Sequence, residues 1–212
     1  MKKRRISSFH HHLSLRILLV MFMTTSYSLL TTAQSPYTIE VNIPPYDSTD
    51  SEHFLIKSKA DWSHINDADK RFFYVKPNAD YGVVTIRADG TADSKRYISL
   101  YNGNDLHPAM LDRSEQANVG FVFDKANYWI VDRMSRLDCG AGGHYCIEIK
   151  NKSGHIVLNR LHMSNFYAGI IVRGSASTPY THDITIQNCR FDPMSPEGID
   201  GDAVAVMLMG NR

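Results

Sequence analysis

The 212-residue sequence predicts an all-β fold wound as a parallel solenoid. Two observations lead to this prediction. Short segments in which apolar and polar residues alternate recur at steps of 23–28 residues, with one longer step of 34 residues before the last segment. No segment between them has the length or the 3.6-residue apolar period of a helix. Strands that recur without crossover helices are typical of a coil in which each strand pairs in parallel with its copy one winding later.

The clearest repeats are three segments that align without gaps. They cover residues 129–134, 156–161 and 184–189, at steps of 27 and 28 residues. If equivalent residues stack, the inward column of this set contains Trp129, Ile156 and Ile184, with Val131, Leu158 and Ile186 beside it.

A second set of repeats lies between the first. Its members are residues 121–124, 147–150, 170–173 and 204–207. The predicted inward column is Phe121, Ile147, Ile170 and Val204, and the predicted outward column is Asp124, Lys150, Arg173 and Met207. The inward columns together form a continuous apolar stack, which is the only core that such a fold has.

The coils are predicted to occupy residues 70–212. Phe73 to Ile98 is 25 residues and Ile98 to Phe121 is 23, which continues the rhythm. Residues 34–69 are predicted as an N-terminal segment and cap, because Ser58 and Asp61 form a capping box that opens a short helix. Since no polar terminal unit follows the last strand, we expect the C-terminal end of the solenoid to be incomplete, as in a truncated chain.

Residues 1–33 have the layout of a secretory signal peptide. A basic start, Lys2 to Arg5, precedes an apolar run that continues to Leu30 and ends in small residues. A membrane anchor is the alternative interpretation. With the signal removed, we expect a secreted protein, extracellular or periplasmic, that is monomeric and has no membrane contact.

Charge and cysteine content limit the function further. The five basic residues of the leader leave 18 basic against 22 acidic residues in the rest of the chain, which argues against a nucleic-acid partner. Cys139 and Cys146 flank a Gly-rich loop and are predicted to form a disulfide. Cys189 is then left over as a small buried apolar residue.

Two segments carry a resemblance to a known family. The coil from Ile184 to Phe191 and the stretch from Tyr97 to Asp132 resemble the right-handed parallel β-helix of the pectin-lyase-like superfamily. The resemblance covers roughly residues 70–209 and implies right-handed winding and a secreted carbohydrate-active protein that acts on acidic polysaccharide. The first hypothesis is a polysaccharide lyase that cleaves uronate chains by β-elimination. A non-catalytic glycan-binding or adhesion solenoid and a polygalacturonase-like hydrolase are the alternatives.

Elimination needs a cation that neutralises the uronate carboxylate and a base that removes the proton next to it. Lys150 and Arg173 are the predicted catalytic residues, because the register places them about 5 Å apart on neighbouring windings. Asp124 of the same column is a predicted substrate-binding residue. A solvated face, on which Asp124 pairs with Lys150, is the alternative.

Two arginines and one amide column add a second candidate surface. Arg133 and Arg160 stack and are predicted to bind charged sugars, with a plain surface role as the alternative. Beside them, a column of Asp132, Asn159 and Gln187 is predicted to form hydrogen bonds between windings.

The best acidic cluster lies in the last insertion. Asp200 and Asp202 precede a strand and could act as the acid and base of a hydrolase. With Glu197 they could instead hold Ca²⁺, the one cofactor that the sequence suggests. Simple turn chemistry is the alternative interpretation.

Overall fold

The computed structural model describes residues 39–77, 79–101, 117–134, 137–138, 145–164, 166–174, 180–192 and 204–210. The elements below all belong to the unit that begins at Val41. The predicted signal peptide lies outside the described residues. In the part of the chain that is described, no helix is both long enough and apolar enough to span a bilayer.

The described residues form fourteen strands in three sheets. Sheet A contains β1 (His53–Ile56), β2 (Phe72–Val75), β4 (Arg96–Leu100), β6 (Asn127–Asp132), β9 (Gly154–Asn159) and β12 (His182–Gln187). Sheet B contains β3 (Ala79–Ile86), β5 (Ala117–Asp124), β8 (Tyr145–Lys150), β11 (Ala168–Arg173) and β14 (Val204–Met209). Sheet C contains β7 (Leu137–Asp138), β10 (His162–Ser164) and β13 (Arg190–Asp192).

All described strand pairs are parallel, and each sheet gathers strands that are distant in sequence. From β5 onward the chain visits sheets B, A and C in turn, and it repeats this order three times before β14. Each strand pairs with its equivalent one winding later. The all-β prediction with parallel, stacked sheets is therefore confirmed, and the architecture is that of a β-solenoid.

The predicted inward columns of the middle windings are confirmed. In sheet A, Ile156 lies between Trp129 and Ile184. In sheet B, the corresponding column is Phe121, Ile147 and Ile170. Apart from the partly buried Ile184, these side chains are at most 1% exposed, so the stack of like residues is the core.

The last winding is offset from the predicted register by two residues. Val206, and not Val204, lies opposite Ile170, while Val204 lies opposite Ala168. The pairing of β14 with β11 begins at Ala168, two residues earlier along β11 than predicted. The N–H of Val204 donates to the carbonyl oxygen of Tyr167 at 2.8 Å, which fixes this register. Since side chains alternate along a strand, a shift of two keeps each residue on its predicted face, and Val206 ends the inward column.

The predicted rhythm from Ile98 to Phe121 is wrong. Ile98 lies in sheet A opposite Phe73 and Val131, whereas Phe121 lies in sheet B. Ile98 and Phe121 therefore belong to different sheets, and the 23 residues between them are not one step of a repeat. Sheet A also begins before the predicted first coil at residue 70, because β1 already pairs with β2.

A 3₁₀ helix, Lys59–Asn66, occupies the position that the capping box predicts. Oδ2 of Asp61 accepts hydrogen bonds from the backbone N–H groups of Lys57 and Ser58, both at 2.8 Å. These bonds satisfy donors at the start of the helix that have no partner within it.

The helix packs on one end of the hydrophobic stack. The ring of the buried Trp62 meets Tyr81 at 5.9 Å and Phe121 at 5.7 Å, both edge-on. Arg96 of β4 donates from Nη2 to the carbonyl oxygen of Ile65 at 3.1 Å, which joins the helix to sheet A. The predicted cap thus covers apolar residues that would otherwise face water.

The corners of the solenoid use residues with left-handed backbone. Among the described residues, nine that are not glycine have φ between 49° and 73°. Six of them occupy two columns that recur in three windings: Tyr128, His155 and Asp183, and Arg133, Arg160 and Asn188. Because this conformation costs roughly 1–2 kcal/mol for a residue with a Cβ, the packing of the flanking strands must hold the corners in place.

We predict that the same substitution, Val→Ala, lowers the free energy of unfolding at a buried core position and has little effect at an exposed one. Val131→Ala, at a side chain that is 0% exposed, should lower the free energy of unfolding by about 2 kcal/mol. Val83→Ala, at a side chain that is 70% exposed, should change it by less than about 0.5 kcal/mol. Denaturant unfolding measures both, and equal effects would contradict the inward column.

Candidate functional site

The structure brings Asp124, Lys150 and Arg173 together at the ends of three adjacent strands of sheet B. Asp124 lies opposite Lys150, and the pairing of β8 with β11 places Arg173 next in the row. This part of the predicted outward column is confirmed as geometry. Its predicted fourth member, Met207, is wrong, because Met209 lies opposite Arg173 after the two-residue offset.

Glu148 lies between the two predicted catalytic cations. Its Oε2 is 2.9 Å from Nζ of Lys150, and its Oε1 is 2.5 Å from Nε of Arg173. The Glu148 side chain is 15% exposed, so the ion pairs are largely shielded from water. The prediction of two adjacent cations did not include this carboxylate, which cancels one of their two charges.

The cations keep Glu148 ionised. Burial alone raises its pKa, but the hydrogen bonds and positive charges of Lys150 and Arg173 lower it by more, and the net pKa lies below the ordinary 4.5. In turn, the hydrogen bond to Glu148 raises the pKa of Arg173. Near neutral pH, Glu148 is therefore an anion that orients two cations and cannot act as a proton donor.

Five basic residues follow or end the adjacent strands β3, β5, β8 and β11. Because the strands are parallel, their carboxyl ends meet at one edge of sheet B. We call this set the basic edge; it consists of Arg87, Lys125, Lys150, Lys152 and Arg173. Asp124 and Glu148 are the acidic residues in the C-terminal halves of these strands, and the edge is positive although residues 34–212 are acidic overall.

Two cations of the basic edge are not neutralised. Arg87 lies 3.6 Å from Asp124, which also accepts a hydrogen bond from Asn151. Within the described residues, no carboxylate is within ion-pair distance of Lys125 or Lys152. These two lysines are therefore available to an anionic ligand.

An aromatic ring extends the same surface. The guanidinium of Arg173 lies over the ring of Tyr145, 5.5 Å from its centre. The ring, the two cations and Glu148 form one continuous polar cluster on neighbouring windings. Such a cluster can bind a carboxylate and present an aromatic face to a sugar ring.

Arg133 and Arg160, the other predicted substrate-binding residues, both contact Asp132. Its carboxylate, 0% exposed, accepts from Nε of Arg133 at 3.0 Å and from Nε and Nη2 of Arg160 at 2.8 and 2.5 Å. Nδ2 of Asn159 donates to Asp132 at 2.8 Å, and Gln187 donates to Asn159 at 3.2 Å. The predicted ladder between windings is confirmed, and both guanidinium groups serve to neutralise its buried acid.

Several predicted site residues lie outside the described residues. They are the proposed hydrolase carboxylates and calcium ligands, Glu197, Asp200 and Asp202, and one member of the predicted disulfide, Cys139. Its predicted partner Cys146 is disulfide-bonded. Cys189 is a free cysteine, as expected, and burial raises the pKa of its thiol.

Sequence reasoning missed Glu148, Lys125 and Lys152, although signals for them existed. Glu148 precedes Lys150 by two positions in an alternating strand, which places both side chains on one face. The two lysines follow strand ends that the repeat already aligned. A single column of stacked residues does not contain this cluster, because the cluster combines residues of neighbouring columns.

Comparison of the chain with protein-family models, with curated proteins and with solved structures finds no match.

We predict that Glu148 makes folding sensitive to acid. Because its pKa is depressed in the folded state, the stability it contributes is complete well above pH 4.5 and is lost as the pH falls through the folded pKa. Glu148→Gln should therefore be less stable than the wild type at neutral pH and should lose less stability on acidification. Urea unfolding at a series of pH values measures this.

Glu52→Gln is the matched control, because its side chain is 50% exposed and its ion pair with Arg71 spans 3.8 Å. This variant should follow the wild type across the series. If Glu148→Gln and the wild type lost equal stability on acidification, ionisation of Glu148 would not contribute to the pH dependence of folding, and the prediction would be wrong.

Proposed function

We propose that this chain is a carbohydrate-active β-solenoid that binds acidic polysaccharide along its basic edge. The observation that carries the proposal is the group of five cations at the ends of four adjacent parallel strands, two of which have no carboxylate partner among the described residues. Successive windings repeat at about 4.8 Å, so cations from neighbouring windings lie close together, where an extended, regularly charged chain can contact several of them.

The chemistry of the cluster suits uronate sugars. A carboxylate ligand can accept hydrogen bonds from Lys125 or Lys152 without displacing a protein anion. Arg173 offers a planar set of donors that matches a carboxylate, and Tyr145 places an aromatic ring beside it. The ladder arginines are not part of this proposal, because Asp132 already engages them.

A polysaccharide lyase is the second candidate function, and the position of Lys150 and Arg173 on either side of Glu148 in one cluster favours it. In this reaction Arg173 neutralises the uronate carboxylate, and Lys150, as the neutral amine, accepts the proton on the carbon next to it. The bond from the neighbouring carbon to the glycosidic oxygen breaks, a carbon–carbon double bond forms, and the oxygen takes up a proton. Lys150 can act as this base only after its ion pair with Glu148 has broken and its ammonium group has released a proton to solvent, because an adjacent carboxylate favours the charged amine.

The handedness of the solenoid and the export of the chain are inferred from sequence motifs. We infer a right-handed winding of the pectin-lyase-like kind from the motif resemblance, together with export directed by residues 1–33. The parallel solenoid supports the first of these, because that superfamily has the same strand arrangement.

We predict that the unpaired lysines contribute to binding. Lys125→Gln combined with Lys152→Gln should raise the Kd for polygalacturonate or alginate about fivefold, since exposed ion pairs contribute roughly 0.2–1 kcal/mol each. Titration calorimetry measures the change, which should shrink at high salt because the contact is screened.

Lys57→Gln combined with Arg190→Gln is the control, because it removes the same charge from exposed positions elsewhere. It should leave the Kd unchanged. If both double variants bind equally, overall charge and not the basic edge determines binding, and the proposal is wrong.

We predict a separate result for elimination. Incubation with a uronate polysaccharide should produce the ultraviolet absorbance of unsaturated sugar ends, and Arg173→Gln should abolish it while Lys57→Gln does not. Binding without new ends would reject the lyase and retain the binding function. New reducing ends without the absorbance would indicate hydrolysis instead.

A further inference from the structure

Two histidines and an aspartate from adjacent windings meet at one corner of sheet A. Because Ile156 pairs with Ile184, His155 of β9 lies opposite Asp183 of β12, and His182 precedes it. Nδ1 of His155 is 3.3 Å and Nε2 of His182 is 3.9 Å from Oδ2 of Asp183. One ligand atom of each residue lies within 4.8 Å of the other two.

The hydrogen bonding of His182 fixes which of its nitrogens faces this cluster. Its Nδ1 lies 2.8 Å from the carbonyl oxygen of Tyr180, which can only accept a hydrogen bond. Nδ1 therefore carries a proton and donates it. In the neutral ring, Nε2 then has a free lone pair directed at the cluster, which is the arrangement that metal-binding histidines show.

The lone pair and the carboxylate do not satisfy each other. Both Nε2 of His182 and Oδ2 of Asp183 are acceptors, and they face each other across 3.9 Å. Two acceptors at this distance repel unless a proton or a cation lies between them. The geometry therefore favours a proton or a cation that binds between these two atoms.

Two residues that are not ligands hold the imidazole rings in place. A Cβ at Gly154 would lie 2.4 Å from Cε1 of His182, so the ring occupies space that only glycine leaves open. The ring of Tyr128 stacks on that of His155 at 4.3 Å with an interplanar angle of 12°. The left-handed backbone of Tyr128, His155 and Asp183 repeats the same corner in each winding.

We propose that His155, His182 and Asp183 bind a divalent transition-metal ion, for which Zn²⁺ is the probe. Imidazole nitrogen and carboxylate oxygen bind zinc at about 2.0–2.2 Å, which separates tetrahedral ligands by about 3.3 Å. The His155–Asp183 distance already has this value, and a rotation of the His182 ring must bring Nε2 nearer to both other ligand atoms, which lie within 4.8 Å of it. The fourth position is left to water.

The ion differs in kind from the calcium considered for residues 197–202. Ca²⁺ takes six to eight oxygen ligands and does not select imidazole, whereas two histidines and a carboxylate suit zinc. The ion joins β9 to β12, the last described strand of sheet A, and so acts as a link between two windings. This inference is independent of the proposed polysaccharide binding.

Calorimetric titration of ZnCl₂ into the metal-free full chain tests the site. The wild type should bind one more Zn²⁺ than His155→Gln or His182→Gln. If a variant still binds this ion, its affinity should be lower than that of the wild type by at least roughly 10–100-fold, which is the cost of losing a residue that only supports a ligand. Co²⁺ in place of Zn²⁺ should give the visible absorption of a tetrahedral ion, and the same variants should remove it.

Two further variants keep the test independent of folding and of other histidines. Gly154→Ala removes no ligand but displaces the His182 ring, and it should abolish the site with the fold intact by circular dichroism. His64→Gln removes a histidine that lies 2.7 Å from Asp67, with no third ligand in the part of the chain that the structure describes, and it should bind Zn²⁺ as the wild type does. Absence of Zn²⁺ binding by the wild type, or binding that His155→Gln, His182→Gln and Gly154→Ala leave unchanged, overturns the proposal.

Discussion

The parallel register between successive windings is the constraint on which the rest of this structure depends. Each described strand pairs with its equivalent in the next winding, so residues one repeat apart lie side by side. Apolar positions then form the continuous core, and polar positions form ladders. Because the windings are about 4.8 Å apart, functional groups from separate parts of the sequence meet by stacking rather than by folding back of long loops.

This constraint also explains how the polar groups are used. Asp132 is buried, and its carboxylate accepts hydrogen bonds from three residues of two windings, Arg133, Asn159 and Arg160. The two arginines therefore belong to the structure of the ladder. At the edge of sheet B the same stacking places like charges together, and Glu148 offsets only part of them. The arginines of the ladder are thus structural, while the exposed Lys125 and the partly exposed Lys152 at the edge of sheet B are available to a ligand.

Much of the fold could be predicted from the repeat, because the positions of large apolar residues determine which windings align. Trp129, Ile156 and Ile184 show this directly. The register of the last winding could not, since alternation with a period of two fits equally well after a shift of two residues, as Val204 and Val206 demonstrate. The spacing from Ile98 to Phe121 failed for a related reason, because spacing alone does not say which sheet a strand joins.

The candidate sites were less predictable than the fold. The alignment of Ile156 with Ile184 already implied that His155 and Asp183 are neighbours, but only the hydrogen bond of His182 shows which nitrogen is free. Glu148 was hidden in the same way, because its contacts depend on side-chain conformations in two windings. Sequence periodicity indicates which residues are adjacent, whereas charge pairing and protonation need atomic positions.

Nuclear Overhauser contacts between backbone amides of Trp129, Ile156 and Ile184 test the central claim most directly. The parallel register predicts contacts from Trp129 to Ile156 and from Ile156 to Ile184, at neighbouring strands about 4.8 Å apart, and none from Trp129 to Ile184, which are about twice as far apart. Contacts of an antiparallel pattern, or contacts that join Ile156 to a different strand, would contradict the stacked windings and the sites built on them.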